Sequence, residues 1–253
     1  MSTSNLTFII PCYNESSRLL QTEECFNHFI RATNFQGTII FINDGSNDNT
    51  LELLNNIKQK LNKKFNDVGV DIISYKKNIG KGWAIKQGVD NCKTKWCLTL
   101  DADMAAKPDE LTTWMNKKFI DLENVNTVYF GSREKGFEEG MVSSSWIRRN
   151  IGLVFNLMIN FFTGIKIRDT QCGYKLYPTP TAQKAFENLH DYGFAHDVEI
   201  IIKLNKQNTS IKMLPIVWNE KSGSKVNVFK DSVKMFLTVI KLTSNYGKIK
   251  DHK

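Results

Sequence analysis

The chain has 253 residues, of which 41% are hydrophobic and 24% are charged, a composition typical of a globular α/β domain and not of a disordered or fibrous protein. The five cysteines are odd in number and form no C-x-x-C pair, so we expect reduced thiols, neither disulfides nor a zinc site. The net charge of +8 lies in residues 203–253, which hold 11 lysines and three acidic residues; this favours an anionic membrane surface as a partner, ahead of nucleic acid.

No membrane-spanning or secretory segment is predicted. The N-terminus lacks a basic region followed by an apolar run, so we expect no signal peptide. The longest uncharged segment, 150–165, is interrupted by Asn156 and Asn160, and it is shorter than the ~20 apolar residues that cross a bilayer. We therefore expect a cytoplasmic protein that associates peripherally with the cytosolic face of a membrane.

Strands and helices alternate along the first half of the chain. Apolar, β-branched runs predict five strands, and helical spacing of apolar residues predicts the helices between them. The strands are 6–11, 38–42, 70–75, 96–100 and 125–131, and the helices are 15–33, 48–61, 80–91 and one that Pro108 opens. This order predicts a mostly parallel sheet covered by helices on both faces, with ligands beyond the carboxyl ends of its strands.

The pattern changes after Arg133. The predicted elements are a long apolar helix at 144–163, a polar stretch at 168–175, helices at 180–189 and 197–206, a strand at 211–218 and an amphipathic helix at 228–242. The first of these helices is apolar on nearly all sides over 153–162, which fits either buried core or an interfacial helix that receives a lipid. Lysines on one side of the last helix would hold it to anionic headgroups.

The most informative motif is Asp101-Ala102-Asp103 at the end of the fourth predicted strand. Two carboxylates spaced two residues apart leave a strand on the same side, where they can share Mg²⁺ or Mn²⁺ bound to a diphosphate. Taken alone, the triplet also fits a solvated turn. However, polar residues follow the neighbouring strands as well, at positions 14–15, 44 and 78–82. We expect these residues to converge on one crevice with the two carboxylates.

Seven segments occur in the order found in glycosyltransferase family 2, and the chain resembles its dolichyl-phosphate β-glucosyltransferases and bacterial polyprenyl-phosphate relatives. They are 9–15 (IIPCYNE), 43–48 (NDGSND), 78–82 (NIGKG), 101–103 (DAD), 131–133 (GSR), 169–175 (DTQCGYK) and 197–199 (DVE). The resemblance implies a single α/β domain of GT-A (Rossmann-like) fold, with a mostly parallel central sheet flanked by helices and with C-terminal amphipathic helices. It divides the chain, 1–253, into a nucleotide-sugar half (6–132), an acceptor half (133–225) and an amphipathic helix (226–246).

The resemblance also implies roles for single residues on the donor side. The residues implied to bind the donor nucleotide or its metal are Pro11, Tyr13, Glu15, Asp44, Lys81, Asp101 and Asp103. Asp44 would accept a hydrogen bond from a uracil ring, and Asp103 would be the more direct ligand of Mg²⁺ or Mn²⁺.

Three departures from the family pattern accompany these roles. Asn43 replaces a carboxylate; if this residue only orients its loop, little is lost, whereas a direct contact with the base would put the uridine preference in doubt. Ala105 stands where the mannosyl-transferring branch often has a glutamine ligand, which argues against that branch. The eukaryotic glucosyl branch also carries an N-terminal membrane helix, and we expect none in this protein.

The acceptor side is inferred from the chemistry of its residues. A polyprenyl phosphate is largely dianionic at neutral pH, since its second pKa is about 6, so it needs a cation to position it and no base. Guanidinium groups bind phosphate oxygens in pairs, and four of the six arginines lie between the fifth strand and residue 175. We predict Arg133 as the main ligand of the acceptor phosphate; the assisting candidates are Arg148, Arg149 and Lys225. Arg148 and Arg149 equally fit plain flanks of an apolar helix, and Lys225 equally fits a contact with the donor diphosphate or a plain surface turn.

The proposed catalytic set is Asp103, Arg133 and Asp169, and for Asp169 three roles stay open: a base, a partner that orients an arginine, or a structural cap. Two roles stay open for Asp197 and Glu199: support of the residues that line the site, or attachment of the last helices to the sheet, which is the role we favour.

Together these features predict an inverting, metal-dependent hexosyltransferase that moves a hexose, glucose being favoured, from a UDP-sugar to a polyprenyl phosphate. The alternatives are a transferase of the same fold with a glycan or soluble hydroxyl acceptor, and a non-catalytic nucleotide-sugar-binding module.

Overall fold

The computed structural model describes residues 5–143, 160–161, 164, 167, 169–219, 237–242, 244 and 246. Its first half consists of β1 (Leu6–Cys12), α1 (Leu19–Thr33), β2 (Thr38–Asp44), α2 (Thr50–Lys64), β3 (Gly69–Tyr75), α3 (Lys81–Asp90), β4 (Trp96–Thr99), α4 (Glu110–Asn116) and β5 (Thr127–Ser132). The second half adds α5 (Arg133–Glu138), β6 (Val142–Ser143), β7 (Lys175–Pro178), α6 (Thr179–Phe186), α7 (His196–Lys206), β8 (Ser210–Pro215) and β9 (Trp218–Asn219). Residues 237–242 are also helical.

Seven strands form one sheet in the order β3-β2-β1-β4-β7-β5-β8. All of its neighbours are parallel except β7, which runs antiparallel to both β4 and β5. The two short strands β6 and β9 pair separately, in parallel. The predicted mostly parallel, GT-A-like sheet is therefore confirmed.

The core lies on both faces of this sheet, because successive side chains of a buried strand point to opposite sides. Phe8 of β1 faces α1 and makes edge-to-face contacts with Phe26 and Phe29, with ring centroids 5.3 Å apart in both pairs. Its neighbour Ile9 faces the other layer, which holds α3, α6 and α7. Aromatic pairs of this kind add about 0.5–1.5 kcal/mol each beyond the area they bury, so the first βα unit is a rigid base for the loops at its carboxyl end.

Several predicted elements differ in extent. The helix predicted from residue 15 begins at Leu19, because the preceding residues are bonded to the loop after β2. The strand predicted at 211–218 is divided into β8 and β9, since the N–H of Val217 donates to the side chain of Glu110 and not to a strand. The strand β7 and the short elements α5 and β6 were not predicted.

Two predicted helices lie mostly outside the described residues. Of the helix at 144–163, only 160–161 are described, and they are helical; of the helix at 228–242, 237–242 are described. None of the helices in the described ranges is long and apolar enough to cross a membrane.

Candidate active site

The predicted site residues of the described ranges lie at one edge of the sheet. The carboxyl ends of β1, β2, β4 and β5 meet there, and β7 contributes its amino end because it runs in the opposite direction. The segment before β7, which includes Asp169, therefore reaches the same edge as the carboxylates that follow β4. The expected convergence of these segments is confirmed.

The loops after β1 and β2 are bonded to each other. The N–H of Asn14, which adopts a left-handed conformation (φ +53°), donates to Ser46 Oγ at 2.9 Å, and the N–H of Glu15 donates to Thr50 Oγ1 at 2.7 Å. Asp48 accepts the N–H groups of Ser16 and Thr50 at 3.2 and 3.0 Å. These contacts fix the shape of the loop on which Tyr13 and Glu15 are carried. Tyr13 is 38% exposed, and Pro11 is the last residue but one of β1, opposite Ile42.

Asp44 is buried at the end of β2 and holds the loop before α3. Its carboxylate accepts the side-chain amide of Asn78 at 2.8 Å and the N–H groups of Ile79 and Gly80 at 3.0 and 2.8 Å. Burial raises the pKa of Asp44, and the two backbone N–H groups partly offset that shift. Two carboxylate oxygens have about four acceptor positions, so these three bonds leave one that a ring N–H could use. The predicted uracil contact stays a prediction.

Asn43 is held by its neighbours on both ends of its amide. Its NH₂ group donates to Ser74 Oγ at 2.9 Å, and its Oδ1 accepts the N–H of Ser46 at 3.3 Å. The side chain is buried. These bonds match the alternative in which the residue at position 43 orients its loop. A neutral amide supplies both the donor and the acceptor that these two bonds need.

Arg18 links two of the predicted site residues. Its Nε and Nη2 contact the Glu15 carboxylate at 2.5 and 2.7 Å, and its Nη1 lies 3.9 Å from Asp103 Oδ2. Sequence reasoning missed this arginine. Its only sequence signal is its position three residues after Glu15, which is the spacing of neighbours on one side of a helical turn.

Asp101 lies between a lysine and a glycine. Lys81, the first residue of α3, places its Nζ 2.6 Å from Asp101 Oδ1. Burial alone would lower the pKa of Lys81, but the carboxylates of Asp101 and Asp197 raise it above its ordinary value, so this lysine is charged. On the other side, a Cβ added to Gly173 would stand 2.4 Å from Asp101 Oδ2. Only glycine lets the carboxylate lie this close to the backbone before β7.

Asp103 is the second carboxylate of the pair and is less exposed than Asp101 (27% against 39% of the side chain). Its Oδ1 accepts the N–H of Ala105 at 3.0 Å. Burial and then the Asp101 charge raise the pKa of Asp103, and the cations Arg18 and Lys81 oppose that rise. Two carboxylates that repel each other at the mouth of a sheet are stabilised by a further cation.

The pair fits a hard divalent cation that brings its own ligands. Within the described residues, no three or more histidine, cysteine or carboxylate side chains are grouped to form a metal site. Mg²⁺ commonly binds through one or two carboxylates, with the phosphates of its substrate and water completing its shell. Asp101 and Asp103 would hold such an ion, and they agree with a metal that arrives with a diphosphate.

Arg133 and Asp169 form a doubly hydrogen-bonded pair across the site. Arg133 Nε and Nη2 donate to the two carboxylate oxygens at 2.9 and 2.8 Å, and its backbone N–H donates to Oδ2 at 2.9 Å. Asp169 is buried, while the Arg133 side chain is 36% exposed. Although burial raises the pKa of Asp169, the arginine brings it below its ordinary value. Of the three roles left open for Asp169, this geometry matches the partner that orients an arginine.

A second ion pair lies beneath these residues. Lys175 of β7 is buried and contacts the Asp197 carboxylate of α7 and the carbonyl of Thr170. Burial raises the pKa of Asp197, but the positive groups around it, among them Lys175 and Lys81, bring it below its usual range. Asp197 thereby attaches α7 to the sheet, as predicted.

Glu199 has a similar role on the next turn of α7. Its carboxylate accepts the N–H groups of His190 and Asp191, both at 2.9 Å to Oε2, and the Tyr246 hydroxyl at 3.0 Å. It fixes the turn before α7 and contacts Tyr246. These contacts join α7 to the turn before it and to Tyr246, so the predicted attachment of α7 to the sheet through Glu199 stays a prediction.

Three of the predicted acceptor residues lie outside the described residues: Arg148, Arg149 and Lys225. Their roles stay predictions. Trp218 of β9, which was not predicted as a site residue, has its ring 5.6 Å from the Arg133 guanidinium carbon. No sequence pattern pointed to it, because the contact joins residues 85 positions apart.

The comparisons with known proteins agree with this arrangement. Residues 7–184 match Glycosyl transferase family 2. The dolichyl-phosphate beta-glucosyltransferase of Saccharomyces cerevisiae is 32% identical over 98% of this chain and 77% of its own length. The Homo sapiens enzyme of the same name is 30% identical over 90% of this chain and 71% of its own.

Solved structures show the same fold at low identity. Glucosyl-3-phosphoglycerate synthase from Mycobacterium tuberculosis, in complex with Mn²⁺, UDP-glucose and phosphoglyceric acid, aligns with a TM-score of 0.66 and 12% identity, over 98% of this chain and 81% of that one. Mannosyl-3-phosphoglycerate synthase from Rubrobacter xylanophilus aligns with a TM-score of 0.65 and 13% identity, over 98% and 77%. On the family match and the relatives of 30% identity or more, the chain belongs to glycosyl transferase family 2.

Proposed function

We propose that this protein transfers glucose from UDP-glucose to a polyprenyl phosphate of the dolichyl type, with inversion at the anomeric carbon. The observation that carries the proposal is the Arg133–Asp169 pair, in which Asp169 orients the cation by accepting three hydrogen bonds from Arg133. A site built this way suits an acceptor that is already an anion. The names of the relatives that align over most of the chain supply the sugar and the lipid class.

The donor would lie across the half formed by residues 6–132. Asp44 and the loop carrying Tyr13 and Glu15 would receive the nucleoside, and Lys81 would face the diphosphate. A divalent cation on Asp101 and Asp103 would neutralise the charge that develops on the departing UDP. The M. tuberculosis neighbour, whose structure holds Mn²⁺ with UDP-glucose, supports Mn²⁺ as the first ion to test.

The acceptor would lie on the half formed by residues 133–225. Asp169 takes two of the five guanidinium donors of Arg133, so three others can bind phosphate oxygens. A phosphate oxygen forms the new bond to the anomeric carbon, and the bond from that carbon to the UDP oxygen breaks with its electron pair leaving on UDP. No proton is transferred when the phosphate is a dianion, which holds above its second pKa of about 6.

We also propose that the C-terminal helix holds the protein to the cytosolic face of an anionic membrane. Within 237–242, Val239 and Leu242 are buried against the core, while Leu237 and Ile240 are 62% and 39% exposed. Exposed apolar side chains beside lysines such as Lys241 suit the boundary between headgroups and acyl chains. Sedimentation with anionic liposomes should show less binding for Leu237→Ser and unchanged binding for Leu20→Ser, an equally exposed leucine on α1. Liposome binding that changes neither with salt concentration nor in the Leu237→Ser variant would contradict this attachment.

The activity is tested with purified protein, Mn²⁺, radiolabelled UDP-glucose and a polyprenyl phosphate, followed by organic extraction. We expect label in the lipid phase, and we expect a chelator or Asp103→Asn to remove it. Asp67→Asn is the matched control, because Asp67 is an exposed carboxylate in the loop before β3. Label that stays in the aqueous phase on a glycan or small acceptor would favour the hydroxyl-acceptor alternative. UDP binding without turnover under any condition would favour a non-catalytic module.

A further inference from the structure

The segment 216–219 connects the two halves of the site. The N–H of Val217 donates to Glu110 Oε2 at 3.0 Å, and the N–H of Asn219 donates to the carbonyl of Ala105 at 2.9 Å. Ala105 is two residues beyond the metal-binding carboxylate Asp103. The backbone of this segment is therefore fixed to the loop that carries the donor-side carboxylates.

The same segment also touches the helix that begins with Arg133. The N–H of Trp218 donates to the carbonyl of Met141 at 3.2 Å, in the short ladder between β6 and β9. A Cβ added to Gly136 of α5 would stand 2.3 Å from the carbonyl oxygen of Ile216, so helix and segment lie in direct backbone contact. The place of the Trp218 ring relative to α5 is thus set by the main chain.

The guanidinium of Arg133 is contacted on two sides. Its edge is bonded to Asp169, and its carbon lies 5.6 Å from the centre of the Trp218 ring. Hydrogen bonds to a carboxylate fix one edge of a guanidinium but still allow the group to rotate about that edge. A group that packs against the plane of the guanidinium limits this rotation. An indole is the aromatic group that attracts a cation most strongly.

We propose that Trp218 is a positioning residue, which holds the plane of the Arg133 guanidinium so that the donors not used by Asp169 face the acceptor phosphate. The proposal rests on the proposed function of Arg133 as the acceptor ligand. In this proposal, segment 216–219 keeps the Arg133 guanidinium at a fixed position relative to the loop that follows Asp103.

The kinetic test compares Trp218→Leu with Trp218→Phe, because both keep the backbone bonds of the segment and only the second keeps an aromatic face. A cation–aromatic contact at a partly exposed position corresponds to about a two- to fivefold change in affinity. We expect Trp218→Leu to raise KM for polyprenyl phosphate by that factor and to leave KM for UDP-glucose unchanged, and we expect Trp218→Phe to stay near wild type. In an Arg133→Gln background, Trp218→Leu should have no additional effect on KM for the lipid.

A second measurement does not depend on lipid transfer. The chain has six arginines, so the Arg133 Nε–H signal can be assigned in a ¹⁵N–¹H spectrum by its loss in Arg133→Lys. We expect the indole to shift the Arg133 signals upfield, Trp218→Phe to retain part of the shift, and Trp218→Leu to abolish it. Unchanged Arg133 signals in Trp218→Leu, or an equal rise of KM for both substrates, would overturn the proposal. If wild-type protein labels no lipid, the proposed function fails, while the arginine spectra still decide whether Trp218 positions Arg133.

Discussion

Replacing Asp169 by asparagine separates an arginine-orienting residue from a catalytic base. The substitution keeps the size of the side chain and one oxygen, so the bonds from the Arg133 backbone N–H and Nε can persist on that oxygen. The new NH₂ group, however, would face Arg133 Nη2, which is itself a donor. One charge-assisted hydrogen bond is lost and the guanidinium can rotate.

The size of the effect follows from that single bond. A hydrogen bond to a charged group contributes about 1.5–3 kcal/mol, so we expect Asp169→Asn to lower the free energy of unfolding by about that amount. The same energy lost from acceptor binding lowers kcat/KM for the lipid by roughly 10- to 150-fold. Since Arg133 would bind the phosphate before and during transfer, most of that loss should lie in KM.

The assay is initial-rate kinetics with varied polyprenyl phosphate, together with urea unfolding followed by circular dichroism. Asp67→Asn serves as the matched control for a loss of negative charge. A second comparison places Asp169→Asn in an Arg133→Gln background, where it should have little further effect on KM. A fall of kcat at saturating lipid by the ~10²–10⁴ expected for a lost general base, with KM unchanged and donor hydrolysis also lost, would refute the orienting role.

Three further predictions concern the carboxylates and the buried ion pair. Because burial and the Asp101 charge raise the pKa of Asp103, the acid limb of the pH–rate profile should lie above the ordinary aspartate range. The limb should move to lower pH as the Mn²⁺ concentration is raised, since the proton and the cation compete for the carboxylate. An acid limb whose position does not change with Mn²⁺ concentration contradicts this. Gly173→Ala should displace the Asp101 carboxylate and lower kcat/KM for UDP-glucose roughly 100-fold, while the melting temperature stays near that of the wild type. Wild-type kinetics in this variant would contradict the close contact between Gly173 and Asp101. Lys175→Met should leave Asp197 buried without its cation and lower the unfolding free energy by about 3–5 kcal/mol in urea, and adding Asp197→Leu should restore part of it. The folded-state pKa of Asp197 is depressed, so the stability from this pair should be present above about pH 4 and be lost as the pH falls below that.

The donor-side candidates were accessible to sequence reasoning because each lies at the end of a strand or in the segment that leads from a strand to the next helix. Parallel strands point their carboxyl ends at one edge, so Asp44, Lys81 and Asp101 could be placed together once the alternation of strands and helices was recognised. The arginine and carboxylate of the acceptor half could be named but not paired. Their contact depends on β7, a four-residue strand that runs against its neighbours and carries no periodic pattern long enough to detect.

Two of the residues that sequence reasoning missed act through partners far along the chain. Trp218 contacts Arg133 across 85 positions, and Gly173 lies against Asp101 across 72 positions. A single sequence holds no information on such distant pairs beyond the compatibility of residue types. Arg18 was missed for another reason, since a lone arginine in the first turn of a helix has many neutral interpretations.

The reversed strand β7 has a consequence for how this enzyme family can change. It is hydrogen-bonded on one side to the strand that ends at the paired carboxylates and on the other side to the strand that ends at Arg133. The hydrogen-bond register of β7 therefore sets how far Arg133 lies from Asp101 and Asp103, and this distance changes in whole-residue steps. The loops around this ladder can be exchanged without moving these side chains, whereas an insertion within it would shift Arg133 from the two carboxylates by a whole residue.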